Sequence, residues 1–156
     1  MGTLELEVLN QHKDWLIEVN RTAITKSYKM VVLQYMLSRG SANWHKPVTP
    51  VEVAPYFHGY LMEKAYRRDV DLADKRGKTL HIYNEAKTAN LIADMPMTKW
   101  SGSSKGRFLF EDGVFVPQLD VANEHKEVLF KWVKEICEYR LQWYFGRKIV
   151  KKTTDK

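Results

Sequence analysis

Phe108-Leu109-Phe110-Glu111-Asp112-Gly113-Val114-Phe115-Val116-Pro117 is the stretch on which the fold turns. Two runs of aromatic and β-branched residues flank Asp112-Gly113, a dipeptide that accepts the left-handed backbone of a tight turn whose twist matches that of paired strands. The pattern predicts a β-hairpin over 107–117, closed by Pro117. The rest of the chain reads mainly as helix, so the place of this hairpin in the element order decides the architecture.

On its N-terminal side, Thr98-Lys99-Trp100-Ser101-Gly102-Ser103-Ser104-Lys105-Gly106 has the composition of a flexible basic loop. Before it, Asn84 is placed to cap a helix from Glu85 to about Asp94, which Pro96 is expected to end. Residues 67–82 are charged and irregular and read as a surface loop. Thr49-Pro50-Val51-Glu52 is the sharpest local signal. Thr49 can cap a helix running to about Lys64, Pro50 occupies the first helical position at no loss, and Glu52 can reach back to the N–H of the cap. Thr25 to Arg39 gives a further helix with Thr25 as its cap, wrapped in apolar residues from Met30 to Leu37 and stopped by Gly40.

Residues 8–20 also have helical spacing, although Leu4-Glu5-Leu6-Glu7-Val8 alternates like a short strand. After the hairpin, Asn123 to Phe145 carries an apolar stripe through Leu129, Trp132, Val133, Ile136 and Trp143 and is expected to stop at Gly146. The stripe reads as core or as a docking face.

The expected fold is therefore mainly α with a small β-hairpin. Helices at 25–39, 49–64 and 84–95 precede the hairpin in the order of a winged helix, with 84–95 as recognition helix and 107–117 as wing. Long N- and C-terminal helices flank this unit, giving one winged-helix-like domain over 3–146 and a basic tail over 147–156. A plain helical bundle carrying a hairpin is the alternative.

Composition narrows the function. With 44% hydrophobic and 28% charged residues among 156, the chain is of folded globular type. No apolar run approaches the ~20 residues of a membrane span, and Met1-Gly2-Thr3 leads into Leu4-Glu5-Leu6-Glu7 without a secretory leader. A single Cys137 excludes an internal disulfide or a Cys-based zinc site and fits a reducing compartment, so a cytoplasmic protein is expected.

The charge is +6, from 25 Lys+Arg against 19 Asp+Glu, and it is blocky. Residues 19–51 hold five basic residues and no acid, 95–110 hold three and none, and 139–154 hold five and none. Residues 1–18 hold Glu5, Glu7, Asp14 and Glu18 against Lys13. Such blocks suit a polyanion, which binds chiefly through phosphate neutralisation; solvated surface charge is the plainer reading.

Catalytic patterns are scarce. Ser101-Gly102-Ser103-Ser104-Lys105-Gly106 lacks the spacing of a nucleotide-binding phosphate loop. The five histidines, His12, His45, His58, His81 and His125, do not fall at metal-ligand spacing. Asp71 or Asp74 followed by Glu85-Ala86-Lys87 imitates the Asp…Glu-x-Lys set of metal-dependent nucleases, yet Glu85 stands where a helix cap favours an acid. No catalytic residue, cofactor or metal is assigned.

Thr25-Lys26-Ser27-Tyr28-Lys29-Met30, with Thr49-Pro50-Val51-Glu52-Val53-Ala54-Pro55-Tyr56-Phe57 and Met95-Pro96-Met97-Thr98-Lys99-Trp100-Ser101, resembles the accessory region C-terminal to the motor in some bacterial DEAD/DEAH-box helicases, restriction-type ones among them. The resemblance spans residues about 22–145. It implies a non-catalytic module acting on DNA beside a helicase motor, in cis or in trans. Every motor motif is missing here, so the chain is expected to be a separate accessory domain or a stand-alone relative.

The expected function is binding of duplex or branched DNA with weak sequence preference. The expected contacts are Lys99, Trp100, Ser101, Ser103, Lys105 and Arg107, with Lys87 and Asn90 on the recognition helix and Lys26 and Lys29 in support. The alternative is a protein-interaction module that docks a helicase or nuclease partner.

Overall fold

A computed structural model describes residues 2–154, with side chains for residues 2–151. The long helices at both ends and the antiparallel hairpin are present. Helix α1 spans Thr3–Arg21, α2 Tyr28–Leu37, α3 Pro50–Glu63, α4 Ala65–Asp71, α5 Lys75–Lys78 and α6 Glu85–Ile92. A π-helical turn over Ala93–Met97 leads into α7, Thr98–Ser103. Strands β1, Phe108–Glu111, and β2, Val114–Pro117, follow, then a 3-10 turn at Asn123–His125 and α8, Lys126–Thr154.

The hairpin forms as its turn chemistry dictates. Phe108 pairs with Pro117 and Glu111 with Val114, while Asp112 (φ 53°) and Gly113 (φ 75°) take the left-handed backbone. Val48, just ahead of α3, adds a third rung: its N–H and C=O both bond Phe115, at 2.9 and 2.8 Å. The order helix, short edge, helices, wing is winged-helix-like, with α4, α5 and α7 added to the two helices expected between edge and wing, and the Val48 rung fixes the wing to the helices.

Beneath it, Trp15 and Phe108 lie 5.3 Å apart, Trp15 and Trp44 5.6 Å, and Trp100 stacks on Phe108 at 3.9 Å. Offset aromatic contacts of this kind add to the burial of large apolar area. Helix α2 is the central element: Tyr28 through Leu33 are all buried, as a helix apolar nearly all round requires.

Several local expectations are corrected. The Leu4–Val8 alternation is helix, since Leu4 and Val8 are also one turn apart, and only Val8 of the two is buried. Helix α2 begins at Tyr28 and is not capped by Thr25. The carboxylate of Asp71 serves instead, accepting the Ser27 N–H at 2.9 Å and the Ser27 hydroxyl. Residues 67–82 are not a plain loop. They contain α4 and α5, and Asp71, Leu72 and Leu80 are buried.

Thr49 does cap α3, accepting the Glu52 N–H at 3.2 Å, but the Glu52 carboxylate turns away to Tyr35 and Arg39. Pro96 does not end the third helix. It has no N–H to offer the carbonyl of Ile92, so the ladder widens: Ala93 O accepts the Thr98 N–H five residues on, and the Thr98 hydroxyl at 2.6 Å. Residues 98–103 then continue as helix where a loop was expected. Gly146 likewise fails to stop α8, which runs on to Thr154; the last two residues of the expected basic tail lie outside the described residues.

Candidate nucleic-acid interface

Asp71 is the most enclosed charged group described. It has no exposed surface, its Oδ1 accepts the Tyr144 hydroxyl at 2.5 Å, and its carbonyl accepts the Tyr28 hydroxyl. Burial and the nearby carboxylate push both phenols well above their ordinary range, so both remain donors. Lys26 belongs to this knot: its ammonium reaches the Asp71 carbonyl at 3.4 Å and pairs with Asp74 at 3.1 Å. Asp74 in turn caps α5, accepting the Gly77 N–H at 2.7 Å. Neither aspartate is left free as a metal-ligating carboxylate, and Glu85 opens α6 behind the Asn84 cap (2.9 Å to Lys87 N–H). Among the described residues no group of three or more His, Cys, Asp or Glu is arranged to hold a metal. The nuclease pattern is therefore explained by cap and core geometry.

A cleft of about 640 Å³ lies between the last turns of α1, the Thr22–Ala23 linker, α7 and the turn into the wing. It gathers five basic residues, Arg21, Lys29, Lys99, Lys105 and Arg107, around two acids, Asp14 and Glu18. Trp100 positions one wall. It is fully buried, and its Nε1–H donates to Glu18 Oε2 at 3.0 Å. That contact locks α7 to α1 and draws one of the acids inward.

Ser101 accepts the Phe110 N–H at 3.2 Å and Ser104 the Phe108 N–H at 3.0 Å, so α7 is also fastened to the hairpin. Lys99 and Ser103, one turn apart, are left exposed. Lys105 (φ 54°) and Gly106 (φ 84°) turn the chain back, and Lys105 is exposed. The Arg107 carbonyl accepts the Trp15 Nε1–H at 3.2 Å; its guanidinium sits 3.8 Å from Asp14 at the cleft edge.

Lys29 is buried, with its ammonium bonded to Thr22 Oγ1 at 2.8 Å and Ala23 O at 2.9 Å. Burial lowers its pKa, as do Arg140 and Lys99, against the opposing pull of Glu18. It holds the linker in place and lends positive charge to the cleft floor.

Of the residues singled out in the sequence, the cleft assembles Lys29, Lys99, Ser103, Lys105 and Arg107. Trp100 is corrected: with no exposed surface it cannot stack on a base and acts as a brace. Ser101 is engaged by the hairpin and Lys26 by Asp74. Lys87 and Asn90 are exposed on α6, away from this cleft, on an element that also carries Glu85 and ends near the Arg76–Asp94 pair (2.8 Å). Arg21 is the member the sequence did not single out. Its signal was its place in the first acid-free block, one turn after Glu18.

On α8, Trp132 and Ile136 face a groove of about 390 Å³ against Leu9, Leu16 and Ile17 of α1, while Trp143 is 44% exposed. No described helix is long and apolar enough to cross a membrane. No family model matches the chain, nor does any curated protein or solved structure compared with it.

Proposed function

We propose that the protein is a non-catalytic nucleic-acid-binding module that grips the DNA backbone in the cleft between α1, α7 and the wing. The observation that carries this reading is the convergence of Arg21, Lys29, Lys99, Lys105 and Arg107 on one concavity, with the Ser103 hydroxyl beside them. Phosphate neutralisation is the largest source of sequence-independent affinity, and hydroxyls add positioning bonds. Sequence preference is weak in this reading, because α6 exposes only Lys87 and Asn90 as groups suited to reading base edges, beside the acid Glu85. The module serves a helicase motor supplied in cis or in trans, as the resemblance of Lys26–Met30 and Met95–Ser101 implies.

The test is binding of a labelled duplex across a salt series. Replacing Lys99 and Lys105 together with alanine lowers the salt slope by about two units. An unchanged slope, or no binding by the wild type at low salt, refutes the reading. A second reading, docking of a protein partner, draws on the apolar α1–α8 groove at Trp132 and Ile136. Salt-independent capture of a purified helicase core without DNA favours it.

A further inference from the structure

The three acid-free blocks of the sequence are far apart along the chain, yet each sends side chains to the same short linker. The first contributes Arg21 and Lys29, and the second Lys99, Lys105 and Arg107, all around the cleft that borders Thr22 and Ala23. The third block reaches the next two residues. A second concavity, about 860 Å³, is lined by Ile24 and Thr25 of the linker and by Trp143, Arg147, Lys148 and Lys151 of α8. Ala23 and Ile24 are bonded neighbours, their Cα atoms 3.8 Å apart by covalent geometry, so the linker is a shared rim of the two concavities. Arg140 of the third block also reaches the α1 end, donating to Val19 O at 3.0 Å and contributing to the lowered pKa of Lys29.

The two concavities differ in chemistry. The first has cations and hydroxyls but no exposed aromatic ring, because Trp100 is buried. Among the described residues the second has three cations, no acid, and an exposed indole: Trp143 is 44% accessible, with the Arg147 guanidinium 4.6 Å from its ring centroid. An aromatic face set among backbone-neutralising cations is what an unpaired nucleotide uses, since every base has a stackable face and a paired base keeps that face inside the duplex. A guanidinium already lying over the ring adds a second planar surface for the same purpose.

We infer that the site continues across the linker and that its ligand is single-stranded nucleic acid at a duplex boundary, the backbone lying in the α7–wing cleft and an unpaired base stacking on Trp143. The inference rests on the backbone-binding reading above and specifies its ligand. It also gives the third basic block a use beyond solubility, and it puts the surviving stacking tryptophan on α8 instead of α7.

The experiment compares three labelled ligands on the full chain at one salt concentration: a blunt duplex, oligothymidylate, and an abasic deoxyribose-phosphate chain of equal length. Wild type binds oligothymidylate at least about fivefold tighter than the abasic chain, the size expected for one stacked base. Trp143→Ala abolishes that preference and leaves duplex affinity unchanged. Trp143→Phe keeps most of the preference, which shows that the ring and not a folding defect is responsible. If Trp143→Ala retains the wild-type preference while the Lys99→Ala/Lys105→Ala variant loses duplex binding, the stacking inference fails and the cleft reading stands. If neither variant changes any affinity, both fail.

Discussion

Two charged clusters lie at opposite ends of the linker between α1 and α2, and they are built on opposite principles. At the Ser27 end the cluster is closed: the Asp71 carboxylate receives three donors, Lys26 is paired with Asp74, and the centre has no contact with solvent. At the Thr22 end it is open. Lys99 and Lys105 are exposed with no acidic partner among the described residues, and Arg107 has a long ion pair with Asp14 and a bond to the Ser104 carbonyl at 3.4 Å. Lys26 and Lys29 stand at the two ends of one four-residue stretch, yet one is absorbed by the knot and the other faces the cleft. Internal satisfaction marks a part that holds the fold, and unsatisfied charge of one sign marks a part that awaits a ligand.

The largest expected effect strikes the closed cluster. Asp71→Ala strands the Ser27 N–H and the Ser27 hydroxyl in the interior and leaves the Tyr144 hydroxyl with the Thr25 carbonyl alone (3.2 Å), which costs on the order of 3–5 kcal/mol in urea unfolding. DNA affinity of the protein that remains folded is unchanged. A loss below about 1 kcal/mol would show that the knot is not what it looks like.

Arg21→Ala reverses the pattern. It changes stability by less than about 0.5 kcal/mol, as expected for an exposed site, and lowers the salt slope of duplex binding by about one unit. A slope equal to that of the wild type removes Arg21 from the interface.

Acid sensitivity arises outside both clusters. His12 is buried against His125, their rings 6.3 Å apart, and its pKa is lowered first by burial and then by His125, with Asp120 opposing. A histidine with a depressed folded pKa binds more protons when unfolded, so stability declines as pH falls through the ordinary value near 6.5. Thermal unfolding between pH 7 and 5 reports this, and His12→Leu flattens the curve. If the variant keeps the wild-type slope, the acid sensitivity arises elsewhere.

The smallest effect belongs to the recognition helix. Lys87→Ala and Asn90→Ala each shift the salt slope by less than about half a unit, because α6 lies outside the cleft. A full-unit drop would move the interface to α6 and restore ordinary winged-helix docking.

Features fixed by neighbours in sequence were legible from the residues alone. The Asp112-Gly113 hairpin, the Thr49 and Asn84 caps and the apolar wrap of α2 needed only local chemistry. What was misread depends on distant partners. Thr98–Ser103 has the composition of a loop, but Trp100 is held by Glu18, 82 residues earlier, and by Phe108. The stretch at 67–82 reads as a charged surface loop, yet Asp71 is secured by Ser27 and Tyr144, 44 and 73 residues away. Gly146 resembles a helix stop, but a β-carbon there would meet nothing within 4 Å, and only tertiary context could say that the helix continues. The basic members of the cleft were visible as blocks of charge. Their convergence at one linker was not, because it is set by the packing of α1, α7 and α8.

The π-helical turn at Ala93–Met97 makes that convergence contingent on a single residue. A residue advances a helix by about 100°. The wide turn thus absorbs one residue more than a regular ladder would, and α7 keeps its face because that residue is taken up there. An in-frame loss of one codon within 93–97 closes the ladder and leaves Trp100 against Glu18 and Phe108. Evening the ladder at full length instead, as Pro96→Ala permits by restoring an N–H, turns α7 by about 100° and carries Trp100 toward water. In evolutionary terms the segment is an absorbed insertion, so a variant one residue shorter across 93–97 loses the wide turn and keeps α7 in place.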